Sequence, residues 1–89
     1  MPKKAETLGH LNTDYILKRD PLQFIVVKRH QSGHHKPLFW SDRGQEGLRT
    51  HLKRRGINLD DAGKALVNSL PSNADMIATR RAALIALKY

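Results

Sequence analysis

Cysteine is absent from this sequence. A disulfide framework and a thiolate zinc site are thereby excluded, and a reducing compartment suits the chain. Long apolar runs are absent too. The longest, Phe24 to Val27 and Ala82 to Leu87, fall far short of the roughly 20 residues that a membrane-spanning helix needs. No apolar stretch follows Met1-Pro2-Lys3-Lys4, so no secretory signal is expected and the expected location is the cytoplasm. Aromatic residues are few: one Trp, two Phe and two Tyr. There is no internal repeat and no low-complexity segment. In 89 residues there is room for one hydrophobic core and no second one.

Negative charge is the scarcer sign. Sixteen Lys/Arg stand against eight Asp/Glu, a net charge of +8. Residues 1–55 hold twelve of the cations and five of the acids, whereas residues 56–89 hold four and three. The basic character therefore belongs to the first part, and the second reads as a nearly neutral packing unit. Such an imbalance points to a polyanionic partner, either nucleic acid or an acidic protein surface. A membrane surface is not expected, because no helical segment joins a strong basic face to large exposed apolar residues.

Residues 1–10 (MPKKAETLGH) lack periodicity and predict a flexible basic arm ahead of a single α+β domain over 11–89. Residues 11–19 (LNTDYILKR) fit either a short helix capped by Asn12 or Thr13 or a short strand, and Asp20-Pro21 ends them. Phe24, Ile25, Val26 and Val27 are consecutive β-formers and predict a strand buried on both faces. A polar connection follows, then Leu38-Phe39-Trp40 as a second strand, so that 22–40 form a β-hairpin with a long basic loop.

Three helices are predicted next. Asp42, with Gln45 three residues on, is the capping signature for a helix running to about Arg55. Gly56 closes it as the left-handed residue of a Schellman motif, with Ile57 folding back on Leu52. Asn58 caps a second helix with Asp60 and Asp61 in its first turn. Its apolar face is Leu59, Ala62, Leu66, Val67 and Leu70, and Pro71 stops it. Ser72 or Asn73 caps a third helix to about Lys88. Ala82 to Leu87 is apolar almost all round, which places that helix at the centre of the core or in a homo-oligomer interface.

The cations fall into two clusters. Lys28, Arg29 and Lys36 flank the hairpin loop; on the predicted helix Arg43, Lys53 and Arg54 lie opposite Leu48 and Leu52, with Arg49 and Arg55 flanking. Phosphate recognition needs long cationic side chains spaced along a surface, and these eight residues are the candidate contacts. Helix-dipole complementarity is a purely structural alternative for Lys53, Arg54 and Arg55. Tyr15 and Trp40 are the aromatic candidates for base stacking, although Trp40, set in an apolar strand, is expected in the core. His30, His34 and His35 cluster in the loop at a spacing that matches no zinc signature, and no metal or cofactor is expected. The two helices around Pro71-Ser72-Asn73 have helix-turn-helix spacing, but Ala74-Asp75-Met76-Ile77 is apolar and acidic where a recognition helix is polar or basic, so packing is expected.

Ser32-Gly33-His34-His35 resembles the Gly-Ser-His-His stretch of HicA-type ribonuclease toxins, with Gly and Ser transposed. The resemblance covers four residues and implies RNA cleavage through a histidine. Here the four residues sit in a loop before Pro37, and a three-helix tail is not part of that family's pattern. The catalytic role is not carried over, and no enzymatic activity is expected. The expected function is a small nucleic-acid-binding accessory protein of low sequence specificity. The alternative is an interaction protein of the phage or mobile-element type that binds and inhibits a host protein or nucleoprotein complex.

Overall fold

Four antiparallel strands in sequence order form a single sheet, and three helices follow it, an α+β arrangement. The computed structural model describes residues 5–30, 33 and 35–88. Lys3 and Lys4 of the predicted arm, and Ser32 and His34 of the loop, lie outside the described residues.

The predicted single hairpin is one part of a larger sheet. Residues 6–10, expected in a flexible arm, form strand β1 (Glu6–His10). The ambiguous segment after it resolves as strand β2 (Tyr15–Arg19), paired antiparallel to β1. Little in Glu6–His10 favours a strand by itself, and the ladder to β2 supplies what its own residues do not. The turn between them is built on Asn12, whose side-chain oxygen accepts from the Asp14 and Tyr15 amides at 2.8 and 3.1 Å. Asp20 does the same for the next turn, accepting from Leu22 and Gln23 at 2.8 and 3.0 Å. Strand β3 (Phe24–Arg29) is buried from Phe24 to Val27, as its β-branched run requires. Strand β4 (His35–Ser41) is longer than predicted and lies at the sheet edge. Val26 pairs with Phe39 but Val27 with Pro37, so Leu38 is the extra residue of a bulge. The bulge is where an edge strand tolerates a proline.

Register decides which side chains meet the helices. Leu17, Phe24, Val26 and Phe39 face them and join Leu11, Leu48, Leu52, Ile57, Val67, Leu70 and Met76 in one core. Ile16, Ile25, Val27 and Trp40 alternate to the other side. Trp40 is therefore not a core residue: it is 53% exposed.

Helix α1 (Gln45–Arg54) is not capped by Asp42. Gly44 is the N-cap residue and supplies no side-chain bond. The acceptor comes from Asn73, whose Oδ1 takes the Gly44 and Gly47 amides at 2.9 and 3.1 Å. Glu46 returns the contact, its carboxylate accepting from the Asn73 amide at 2.7 Å. The far end closes as predicted. Gly56 has φ +69°, its amide bonds the Lys53 carbonyl, and the Ile57 amide bonds the Leu52 carbonyl at 3.0 Å.

Helix α2 (Asp61–Asn68) is capped by Asp60, not Asn58; Asp60 accepts from Gly63 at 2.7 Å. The Asn58 carbonyl instead accepts from the Asn12 side chain at 2.6 Å. Gly63 sits against the Leu11 carbonyl, where any Cβ would collide, so α2 approaches the β1–β2 turn more closely than any other residue allows. Its buried face holds Gly63 and Val67, with Leu66 half-buried and Ala62 exposed. In helix α3 (Asn73–Lys88) Ser72 accepts from the Asp75 amide, and Met76 is fully buried. The predicted central placement of Ala82 to Leu87 does not hold: Leu84 and Ile85 are exposed, because only the first turns of α3 reach α1 and the core.

Candidate nucleic-acid interface

Helical pitch divides the cations of α1 between two flanks. With Leu48 and Leu52 buried, Arg49 and Lys53 lie on the side toward α2, while His51 and Arg55 lie on the side toward the sheet. Arg54 is exposed between them. The Arg55 guanidinium sits 4.6 Å from the centroid of the Phe39 ring, and the His51 ring lies 5.6 Å from the same ring.

That flank is where the two predicted clusters meet. Lys28 pairs directly with Lys36 across β3 and β4. Strand alternation puts this pair on the helix side of the sheet, in the row beyond Val26 and Phe39. Lys28 and Lys36 are both exposed. Like charges directly opposite on antiparallel strands repel, so the pair opposes folding. Lys28 and Lys36 thus lie on the same side of the sheet as Arg55, one row beyond the ring that Arg55 covers.

Three other predicted residues do not join it. Arg29 alternates to the helix-free side of the sheet. Arg43 precedes α1 and lies about 15 Å from its last turn, the length of ten helical residues. It is 3.8 Å from Asp42. Arg49 serves packing, bonding the Asn68 side chain and, at 3.3 Å, Gln45. Gln45 in turn reaches the Asn68 and Leu70 carbonyls at 3.2 and 3.3 Å. These bonds tie α1 to the end of α2.

Lys53 faces a shallow depression of about 410 Å³ between α1 and α2, whose floor includes Leu52, Ile57 and Leu59. Lys64 of α2 lines it too. Sequence reasoning missed Lys64, because only the packing of two helices brings it beside Lys53. It also missed His51, whose place beside Phe39 depends on how α1 lies on the sheet.

Compensating acids are scarce here. Among the described residues, two side-chain ion pairs form, Arg43–Asp42 and Arg80–Asp42, each at 3.8 Å. Both use one carboxylate, that of Asp42. Lys28, Lys36, Lys53, Arg54 and Arg55 have no carboxylate within ion-pairing distance among the described residues. The absence of direct ion pairs leaves these cations open to contact with a polyanion. Among the described residues, no three His, Cys, Asp or Glu side chains lie together as metal ligands would, and no helix is long and apolar enough to cross a membrane. The start of α3, weighed above as a recognition helix, is engaged in capping α1 through Asn73.

No family model, no curated protein and no solved structure matches this chain.

Proposed function

We propose that the protein binds nucleic acid through its phosphates, with little sequence specificity, as an accessory factor and not as a catalyst. The observation that carries this reading is the uncompensated basic surface of Lys28, Lys36, Arg54 and Arg55, where a like-charged cross-strand pair lies beside a stacked guanidinium. A repulsive Lys28–Lys36 pair is relieved when phosphates lie between its ammonium groups. Lys53 and Lys64 extend the positive field to the α2 side. The surface is built of lysines and arginines, whose long cationic side chains suit phosphate oxygens, so affinity rests on phosphate contacts and counterion release. Fluorescence anisotropy with labelled duplex DNA tests this reading. The expected dissociation constant is about 1–100 µM at physiological salt, tightening steeply as salt falls. Binding no tighter than that of an unrelated protein of equal charge would contradict it.

A separate observation favours a second reading, an interaction protein that docks on an acidic surface of a larger protein. Ile77, Leu84 and Ile85 of α3 are exposed in a groove of about 730 Å³ that Asp42, Arg43, Arg80 and Arg81 also line. Asp42 pairs with Arg43 and Arg80, so the apolar stripe, with a net positive rim, suits a partner with an apolar ridge and an acidic margin. Such a protein binds one partner tightly, and its nucleic-acid binding stays at the level of the equal-charge control. A homo-oligomer through the same stripe would appear in sedimentation as a concentration-dependent mass.

A further inference from the structure

The side of the sheet away from the core cluster carries the only tryptophan of the chain. Trp40 pairs with Ile25, and Ile25 with Lys18, so the three side chains form one row across β4, β3 and β2 on that side. Ile16, Ile25 and Val27 are closed over, which makes the Trp40 end of the row the accessible part. The indole belongs to no core cluster, and 53% of the residue faces solvent. Aromatic residues suit β-strands for packing reasons, but an edge position half in water obtains little from the largest ring available.

The charges on this side have one sign. Of the described strand positions that alternate with the core residues, Lys18 and Arg29 are cationic and none is a carboxylate. Lys18 lies two strand spacings, about 10 Å, from Trp40, within reach of a phosphate beside a base held on the indole. On the opposite side of β4 stand Lys36 and, over Phe39, Arg55. Cations therefore stand on both faces of the sheet, and the half-exposed indole stands at the β4 edge on one of them.

We infer that the ligand is single-stranded nucleic acid, which passes over the β4 edge with its phosphates on Lys36, Arg55 and Lys18 and an unpaired base stacked on Trp40. This rests on the phosphate-binding reading and specifies its substrate class. A duplex keeps its base faces inside the stack, so it has no π-face to offer the indole, whereas any unpaired base does. The same stacking works for DNA and RNA, and its tolerance of base identity fits a site without base-edge readout.

Because Trp40 is the only tryptophan, emission excited at the red edge of indole absorption, beyond that of tyrosine, reports on it alone. The experiment titrates the protein with homopyrimidine single strands of DNA and of RNA, with a blunt duplex of equal phosphate count, and with polyglutamate. The expected result is quenching by both single strands and none by duplex or polyglutamate. Trp40→Ala weakens single-strand binding about 5- to 150-fold, the range of one lost base stack, and leaves duplex binding unchanged. Trp40→Phe keeps most of the affinity. Circular dichroism and thermal unfolding confirm that both variants fold.

The inference is overturned if single strands bind without changing the emission, if Trp40→Ala lowers single-strand and duplex affinity equally, or if polyglutamate quenches as well as the strands do. Each of those outcomes removes the stacking site, while the duplex arm, read against the equal-charge control, tests the phosphate-binding reading separately. If neither strands nor duplex bind beyond the equal-charge control, the phosphate-binding reading fails and this inference fails with it.

Discussion

The guanidinium of Arg55 lies over the Phe39 ring, 4.6 Å from its centroid, and joins the end of α1 to the edge strand of the sheet. Phe39 is buried and belongs to the core, so this contact fixes a cation on the hydrophobic interior. On the proposed reading, the same residue has a share in stability and in ligand binding.

The two shares separate by substitution. Arg55→Ala removes the cation–π contact and the cover over Phe39, a loss of about 1 kcal/mol. In a domain of this size that lowers the melting temperature by about 4–8 °C. Arg55→Lys keeps the charge but not the planar stack. It is expected to melt between wild type and alanine while retaining most of the phosphate affinity. Thermal denaturation with parallel anisotropy checks both; equal melting of all three proteins would show that the stack is not structural.

Asn73, far along the chain from α1, is predicted to be the stabilising cap of that helix, and Asp42 is not. Asn73→Ala strips the acceptor from two amides, Gly44 and Gly47, and costs about 1–2 kcal/mol. Asp42→Ala removes only two exposed ion pairs and stays within about 0.5 kcal/mol. Urea denaturation distinguishes them, and the reverse order would restore Asp42 as the cap.

Helix α3 divides energetically along its length. Met76→Ala empties a fully buried site and costs about 2–5 kcal/mol. Ile85→Lys, on a residue 53% exposed, changes stability by less than about 0.5 kcal/mol. If α3 pairs with a second copy of the chain, Ile85→Lys shifts the sedimentation coefficient as well. If the monomer is the working form, it does not.

Lys28→Glu turns a repulsive cross-strand pair with Lys36 into an attractive one. The variant is expected to gain about 0.2–1 kcal/mol in stability and to lose nucleic-acid affinity. A variant that is both more stable and a weaker binder identifies the pair as a functional cost. Unchanged affinity would remove Lys28 from the interface.

Local chemistry was readable from the sequence, and what depends on packing was not. The buried run Phe24 to Val27 and the Gly56–Ile57 close of α1 are encoded within a few residues, and both occur where expected. The cap of α1 comes from Asn73, 29 residues from Gly44, so no local signature could name it. Leu38-Phe39-Trp40 reads as an apolar run buried throughout. The bulge at Leu38 and the edge position of β4, both products of pairing, turn Phe39 to the core and Trp40 to water. β1 is invisible for a related reason, since its pairing with β2 is the main support of that strand. The basic residues of the candidate site were visible as composition. That Arg55 joins Lys28 and Lys36, that Arg49 is a packing clamp, and that Arg29 faces away follow only once sheet and helix are placed.

The central claim is that Lys36, Arg54 and Arg55 act together on phosphates. The most direct test is the salt dependence of duplex binding, where the indole plays no part, for the wild type and for the variant with these three residues changed to alanine. Each lost phosphate contact should flatten the slope of log K against log salt by about 0.9, so the triple variant should flatten it by about 2.7. A variant that binds with the wild-type slope and affinity would contradict the account and remove this surface from nucleic-acid binding.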